Sequence, residues 1–235
     1  MLPTSSTATT EGAGAARTWR GVPLTERRAE RRELLVDAAF ELLGTDGWGG
    51  TTVRGVCAAA RLNPRYFYES FDSLESLFIA VFDRLVLEAT HQAVNAVAAA
   101  GPDPGARVVA VIDASIRYVT ADPKRARILF VEALGNERVG RRRLDTLHAT
   151  AEFLERYAWR QTGMADDRIG IVASHLLVGG LTELVVTWLD GRLKVSLNEL
   201  IEDAAALMVA VGGGAVSVAR SRQPEPGAGD RQVDA

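Results

Sequence analysis

The stretch from Thr51 to Phe71, TTVRGVCAAARLNPRYFYESF, leaves this chain few ways to fold. Thr52 can cap a first short helix, on which Val53, Val56, Cys57 and Ala60 form an apolar stripe. A bend falls at Arg61 and Leu62. Asn63 then caps a second helix with Pro64 at its first position, where a missing N–H costs nothing. Phe67 and Phe71 are four apart and face inward, leaving Arg65, Tyr66, Tyr68, Glu69 and Ser70 to point elsewhere. A short helix that displays an arginine and two tyrosines, braced by a helix across it, is the geometry of a helix-turn-helix reader of DNA. An ordinary helical hairpin with half-buried tyrosine anchors fits the same stretch, so its surroundings must decide.

Those surroundings are helical. Strict apolar alternation is nearly absent and helix formers dominate most windows, so the chain reads as all-α. Its 235 residues are 47% hydrophobic, enough for a substantial core, and the net charge of −3 means that any DNA contact must come from a local basic face. One cysteine, Cys57, excludes an internal disulfide and fits a reducing, cytoplasmic setting, where it serves as a small buried hydrophobe. Residues 1–20 lack the apolar block of a secretory signal. The longest apolar windows, Val172–Val186 and Ala204–Val218, are interrupted by His175, Glu183 and a glycine run, and read as buried helices.

Four regions follow: a disordered arm over 1–22, a three-helix head over 23–72, a helical body over 73–220, and a loose tail over 221–235. The first helix is expected over Thr25–Leu43, its early arginines Arg27, Arg28, Arg31 and Arg32 either self-paired with interleaved glutamates or set over a phosphate backbone. Gly44 and Gly47 end it, and Trp48 anchors the packing beneath the turn. Ser73 starts a helix reaching about Ala99, longer than the head alone can cover, so it joins two bodies. Beyond a Gly-Pro break, helices are expected over Ala106–Thr120, Lys124–Leu134, Asn136–Gln161, Asp166–Leu189 and Leu197–Val211, the last extending to about Ala219. The final two are apolar and rich in small residues, which calls for a cover; an isologous four-helix interface with a second copy supplies one.

The N-terminal third resembles the TetR family of transcriptional regulators. The likeness runs from Arg32-Glu-Leu-Leu-Val-Asp-Ala-Ala-Phe through Gly47-Trp-Gly-Gly-Thr-Thr-Val-Arg to Phe71-Asp-Ser-Leu-Glu-Ser-Leu-Phe. Arg61-Leu-Asn occupies the place of the family's Gly-Val-Ser turn, and Tyr68-Glu-Ser-Phe71 that of its Tyr-x-Tyr-Phe. The resemblance implies a homodimer in which each chain has a DNA-binding head and a body holding an effector pocket and the dimer interface. Carried over by position, it puts Arg54, Asn63, Pro64, Arg65 and Tyr66 at or near base edges, and Thr52, Tyr68 and Ser70 against phosphates. The chain departs from the family at Leu74, where Lys is frequent, at Ser70, which replaces an aromatic residue, and at Arg61, which stands in the usual glycine place.

The expected function is a ligand-responsive repressor released from a palindromic operator on double-stranded DNA by a small-molecule effector. The alternative is a helical dimer that binds a protein partner without specific DNA binding. Polar or aromatic groups on apolar faces, Tyr118, Phe153, Tyr157, His175, Glu183, Thr187 and Trp188, are candidates for the effector pocket, each equally readable as a satisfied core group or interface anchor. His91, His148 and His175 fall on three different helices without ligand spacing, so no metal or other cofactor is expected. With no phosphate-cradling glycine loop and no nucleophile elbow, the chain does not read as an enzyme.

Overall fold

The computed structural model describes residues 18–19, 22–162 and 168–222. Most of the expected arm and tail, and the expected helix start at Asp166, lie outside them. At the head's edge a minimal antiparallel ladder pairs β1 (Thr18–Trp19) with β2 (Val22–Pro23). All else that is regular is helical. The head comprises α1 (Leu24–Thr45), a single turn α2 (Gly47–Gly50), α3 (Val53–Ala59) and α4 (Pro64–Tyr68). The body comprises α5 (Leu74–Ala99), α6 (Pro104–Thr120), α7 (Pro123–Ala126), α8 (Glu137–Thr162), α9 (Arg168–Leu189) and α10 (Leu197–Ser221).

Capping explains where the short helices begin. The Thr52 hydroxyl accepts from the Gly55 N–H at 3.0 Å, and the Asn63 side-chain oxygen accepts from the Arg65 N–H at 2.9 Å. Ser73 and Ser76 exchange side-chain to backbone bonds in a reciprocal cap that starts α5. One apolar core then runs through the head and into the body: Leu35, Val36, Ala39 and Leu43 of α1 meet Val56, Phe67, Leu77, Phe78 and Val81. Trp48 stacks on Phe78, ring centroids 5.4 Å apart, which makes it the packing anchor expected beneath the turn.

The structure departs from the sequence-based expectations in three places. First, α1 starts before Thr25 and continues through Gly44 to Thr45; the chain turns at Gly47, whose φ of +74° suits a residue without Cβ. Second, Thr18–Trp19 and Val22, within the expected disordered arm, take part in the ladder, whereas the bend falls at Arg61 as expected, with Arg61 in the left-handed region at φ 55°. Third, Lys124–Leu134 is not one regular helix. α7 ends at Ala126, a wide π-helical turn spans Arg127–Val131, and a tight 3-10 turn spans Glu132–Gly135.

The wide turn has a visible consequence. In an α-helix, residues five apart lie on different faces, whereas the i→i+5 pattern of a π-turn sets them one above the other. Arg127 and Glu132 are so placed, Nε to Oε1 at 2.9 Å. Together they clasp the head: the Arg127 guanidinium donates to the Thr45 carbonyl at 2.6 Å, and Glu132 accepts the Trp48 N–H at 2.7 Å. Lys124 adds an ion pair to Glu41 of α1 at 2.5 Å, and Asn136 and Arg138 tie the start of α8 to Glu75 of α5. The bonds from Asn136 and then Arg138 hold the Glu75 carboxyl below its ordinary pKa.

Candidate nucleic-acid interface

Two short helices of the head form the site. Phe67 is fully buried and Phe71 nearly so, fixing α4 against the core by its inner face. That leaves Arg54 on α3, and Asn63, Pro64, Arg65, Tyr66 and Tyr68 on or beside α4, exposed together. Thr52 is exposed at the start of α3. It accepts the capping bond with its oxygen and keeps its hydroxyl proton for an outside acceptor. Asn63 likewise spends only its oxygen on the cap, leaving its amide NH₂ to donate outward. Ser70 is set apart: its hydroxyl is covered and has no hydrogen-bond partner, so it is not displayed with the others.

Arg65 points outward, its side chain 83% exposed, and its Nε donates to Glu69 at 3.1 Å. An exposed pair of this kind is worth only about 0.3–0.5 kcal/mol, so leaving Glu69 for a base or phosphate costs little. The Arg54 side chain makes no hydrogen bond or ion pair among the described residues.

The early arginines of α1 do more than pair with their own helix. Arg31 lies over the Tyr66 ring, 4.5 Å from its centroid, and also meets Glu69 at 3.7 Å. Arg28 donates to the Glu69 carbonyl at the end of α4, and Arg32 lies over the Phe71 ring. These contacts stiffen α4 from its C-terminal side and bring positive charge to its flank. The sequence offered both an internal pairing and an outward role for this cluster, and its spacing alone could not reveal the partner Glu69. Cys57 is buried, and that burial pushes its thiol up, away from the reactive thiolate.

The body residues singled out from the sequence do not converge. Phe153 and Tyr157 are exposed and stack on one another along α8, with the Tyr157 hydroxyl accepting from Arg107. His175 is exposed on α9 and hydrogen-bonds to the Ile171 carbonyl; Glu183 is exposed and accepts from half-buried Thr187. Trp188 is tied to the Val195 carbonyl. Tyr118 lines a cleft of about 570 Å³ between α5, α6 and α7. Burial, and then its bond to Glu88, pushes the Tyr118 phenol well above its ordinary pKa. The structure does bring His148 and His175 side by side, ring centroids 6.0 Å apart, yet no group of three metal-ligating side chains forms among the described residues.

A short exposed helix across a capped partner, carried on a helical body, defines a helix-turn-helix DNA-binding protein. Residues 35–81 match the model of the bacterial regulatory proteins, tetR family, so the head is similar to that family's N-terminal domain. No curated protein matches the sequence. Among solved structures, a putative transcriptional regulator from Pseudomonas aeruginosa PAO1 shares the fold at TM-score 0.66 and 19% identity, over 81% of this chain and 94% of that one. A putative TetR-family transcriptional regulator from Syntrophomonas wolfei superposes at TM-score 0.67 and 14% identity, over 79% and 96%. A fatty acid degradation regulator, FadR, from Bacillus halodurans does so at 0.64 and 17%, over 76% and 94%.

Proposed function

We propose that the chain is a cytoplasmic homodimeric repressor that holds a palindromic operator and releases it when a small-molecule effector occupies the body. The observation that carries this reading is α4 itself: Phe67 locks it inward while Arg65, Tyr66 and Tyr68 stand outward beside Arg54 and Asn63. Arginine donates bidentately to guanine N7 and O6, and the Asn63 NH₂, its oxygen engaged in the cap, can donate to a base-edge acceptor such as a purine N7. Thr52 and Tyr68 can donate to phosphates and so fix register.

The dimer is supported by what the single chain leaves uncovered. α9 and α10 are long and apolar enough to cross a membrane by length and composition, yet only 22% and 17% of their most apolar windows are buried. Val172, Leu176 and Leu207 are exposed, and Gly179, Gly180, Gly213 and Gly214 have nothing near the place a Cβ would take. Small residues facing open space invite the close approach of another helix. A second copy then sets two heads for successive major grooves, roughly 34–36 Å apart. An effector with different affinities for two head spacings shifts DNA affinity without touching DNA.

The test is an electrophoretic shift with the DNA upstream of the protein's own gene, at several salt concentrations. Arg65→Ala should lower specific affinity by about 1–3 kcal/mol per half-site. A stable dimer that retains no DNA at moderate salt would favour a protein-interaction module instead.

A further inference from the structure

The cleft between α5, α6 and α7 carries an assignment of its own, resting on the reading of the body as an effector site. Its polar lining is Glu88, His91 and Gln92 from α5, Arg117 and Tyr118 from α6, and Arg125 from α7. Two guanidiniums and one carboxylate line it, and that carboxylate is already engaged: the Tyr118 hydroxyl donates to Glu88 Oε2 at 2.6 Å. Arg125 is held in place by its bond to the Tyr118 carbonyl at 2.9 Å and by lying 4.2 Å from the Tyr118 ring centroid. Arg117 is held by Asp113 at 2.7 Å and by Asn198 at 2.9 Å. Each guanidinium carries five N–H donors in a rigid fork, so both keep donors to spare after these bonds. Fixed, partly unspent cations with amide and imidazole groups beside them suit a small anion with hydrogen-bonding oxygens.

The same cleft is wired to the head. Glu88 Oε1 faces Arg84 Nε at 3.8 Å, beyond hydrogen-bond reach, and that Nε is buried with no hydrogen-bond partner. Arg84 Nη1 in turn bonds Asp37 of α1 at 2.5 Å, and its guanidinium sits over the Phe40 ring of the same helix. Glu88 therefore stands between a donor it holds, Tyr118, and a buried donor that lacks an acceptor.

We infer that the cleft binds a compact organic or inorganic anion through Arg117 and Arg125, and that occupancy reaches the head through Glu88, Arg84 and Asp37. An anion that takes the Tyr118 hydroxyl frees Glu88 to close on Arg84 Nε. Charge placed there competes with Asp37 for the guanidinium and loosens the hold of α5 on α1. A buried donor left without an acceptor is costly, which gives the second arrangement a physical reason to exist.

Two measurements on the full-length chain test this. Thermal melts are recorded with citrate, inorganic phosphate, sulfate and benzoate, each at matched ionic strength, for the unaltered protein and for Arg117→Gln, Arg125→Gln and Arg141→Gln. At least one anion should raise the melting temperature of the unaltered protein and of Arg141→Gln, with the rise lost in the other two. A rise of equal size in all four proteins, or none from any anion, overturns the site. The effective anion is then added to the operator complex, where it should weaken binding by about 5–150-fold. In Asp37→Asn the melting shift should persist while that weakening is lost; an unchanged weakening overturns the relay. Operator retention without any anion judges the DNA-binding reading separately, and the melts judge the cleft without DNA.

Discussion

Arg61 holds the bend between α3 and α4 at φ 55°, a conformation glycine adopts freely and other residues adopt at a cost of roughly 1–2 kcal/mol. Its side chain is exposed and bonds to nothing among the described residues, so no contact repays that cost within the chain. Arg61→Gly should therefore stabilise the protein. Glycine's greater freedom in the unfolded chain takes back part of the gain, leaving about 0.5–1 kcal/mol and a rise in melting temperature of about 1–4 °C by circular dichroism. A fall on substitution would show that Arg61 makes a stabilising contact after all. The proposed DNA-binding role gives that charge a use outside the chain, and the same variant should then bind DNA with a shallower salt dependence.

At the scale of elements, the reading pair was legible and the joint above it was not. α3 and α4 are set by local chemistry, Thr52 and Asn63 as caps and Pro64 at the first position, and local chemistry is what a sequence displays. α5 was equally plain, since its buried side chains, Leu77, Phe78, Val81, Phe82 and Leu85, repeat every three or four residues. Arg127–Gly135 reads as ordinary helix because the cause of its wide turn is remote: Thr45 and Trp48, more than eighty positions earlier, receive Arg127 and Glu132. The cleft was hidden for the same reason. Tyr118 was a candidate, but Glu88, Arg117 and Arg125 look in the sequence like any solvated charges on a helix. Glu132 gives the element-scale prediction. Its side chain is 13% exposed and holds both Arg127 and the Trp48 N–H, so Glu132→Ala should cost about 1–3 kcal/mol in urea denaturation. Glu152→Ala removes an exposed pair with Arg156 at 3.6 Å and should cost no more than about 0.5 kcal/mol. Equal costs for the two would mean that the clasp does not join head to body.

A single chain leaves α9 and α10 largely uncovered. An apolar surface with open glycine notches, spread over two adjacent long helices, needs a cover in water. Sedimentation equilibrium at micromolar concentration should give twice the 25.2 kDa chain mass. Leu176→Glu combined with Leu207→Glu places charge on two exposed apolar positions and should return the mass to that of one chain. A double variant that stays dimeric would move the interface elsewhere on the body.

The central claim is that two identical α4 helices enter neighbouring major grooves on one side of a duplex, and hydroxyl-radical footprinting on the DNA upstream of the gene tests it most directly. The account predicts two protected patches on one face, their centres about one helical turn, roughly 34–36 Å, apart and related by a two-fold axis. A single patch, or even protection without regard to sequence, would contradict it.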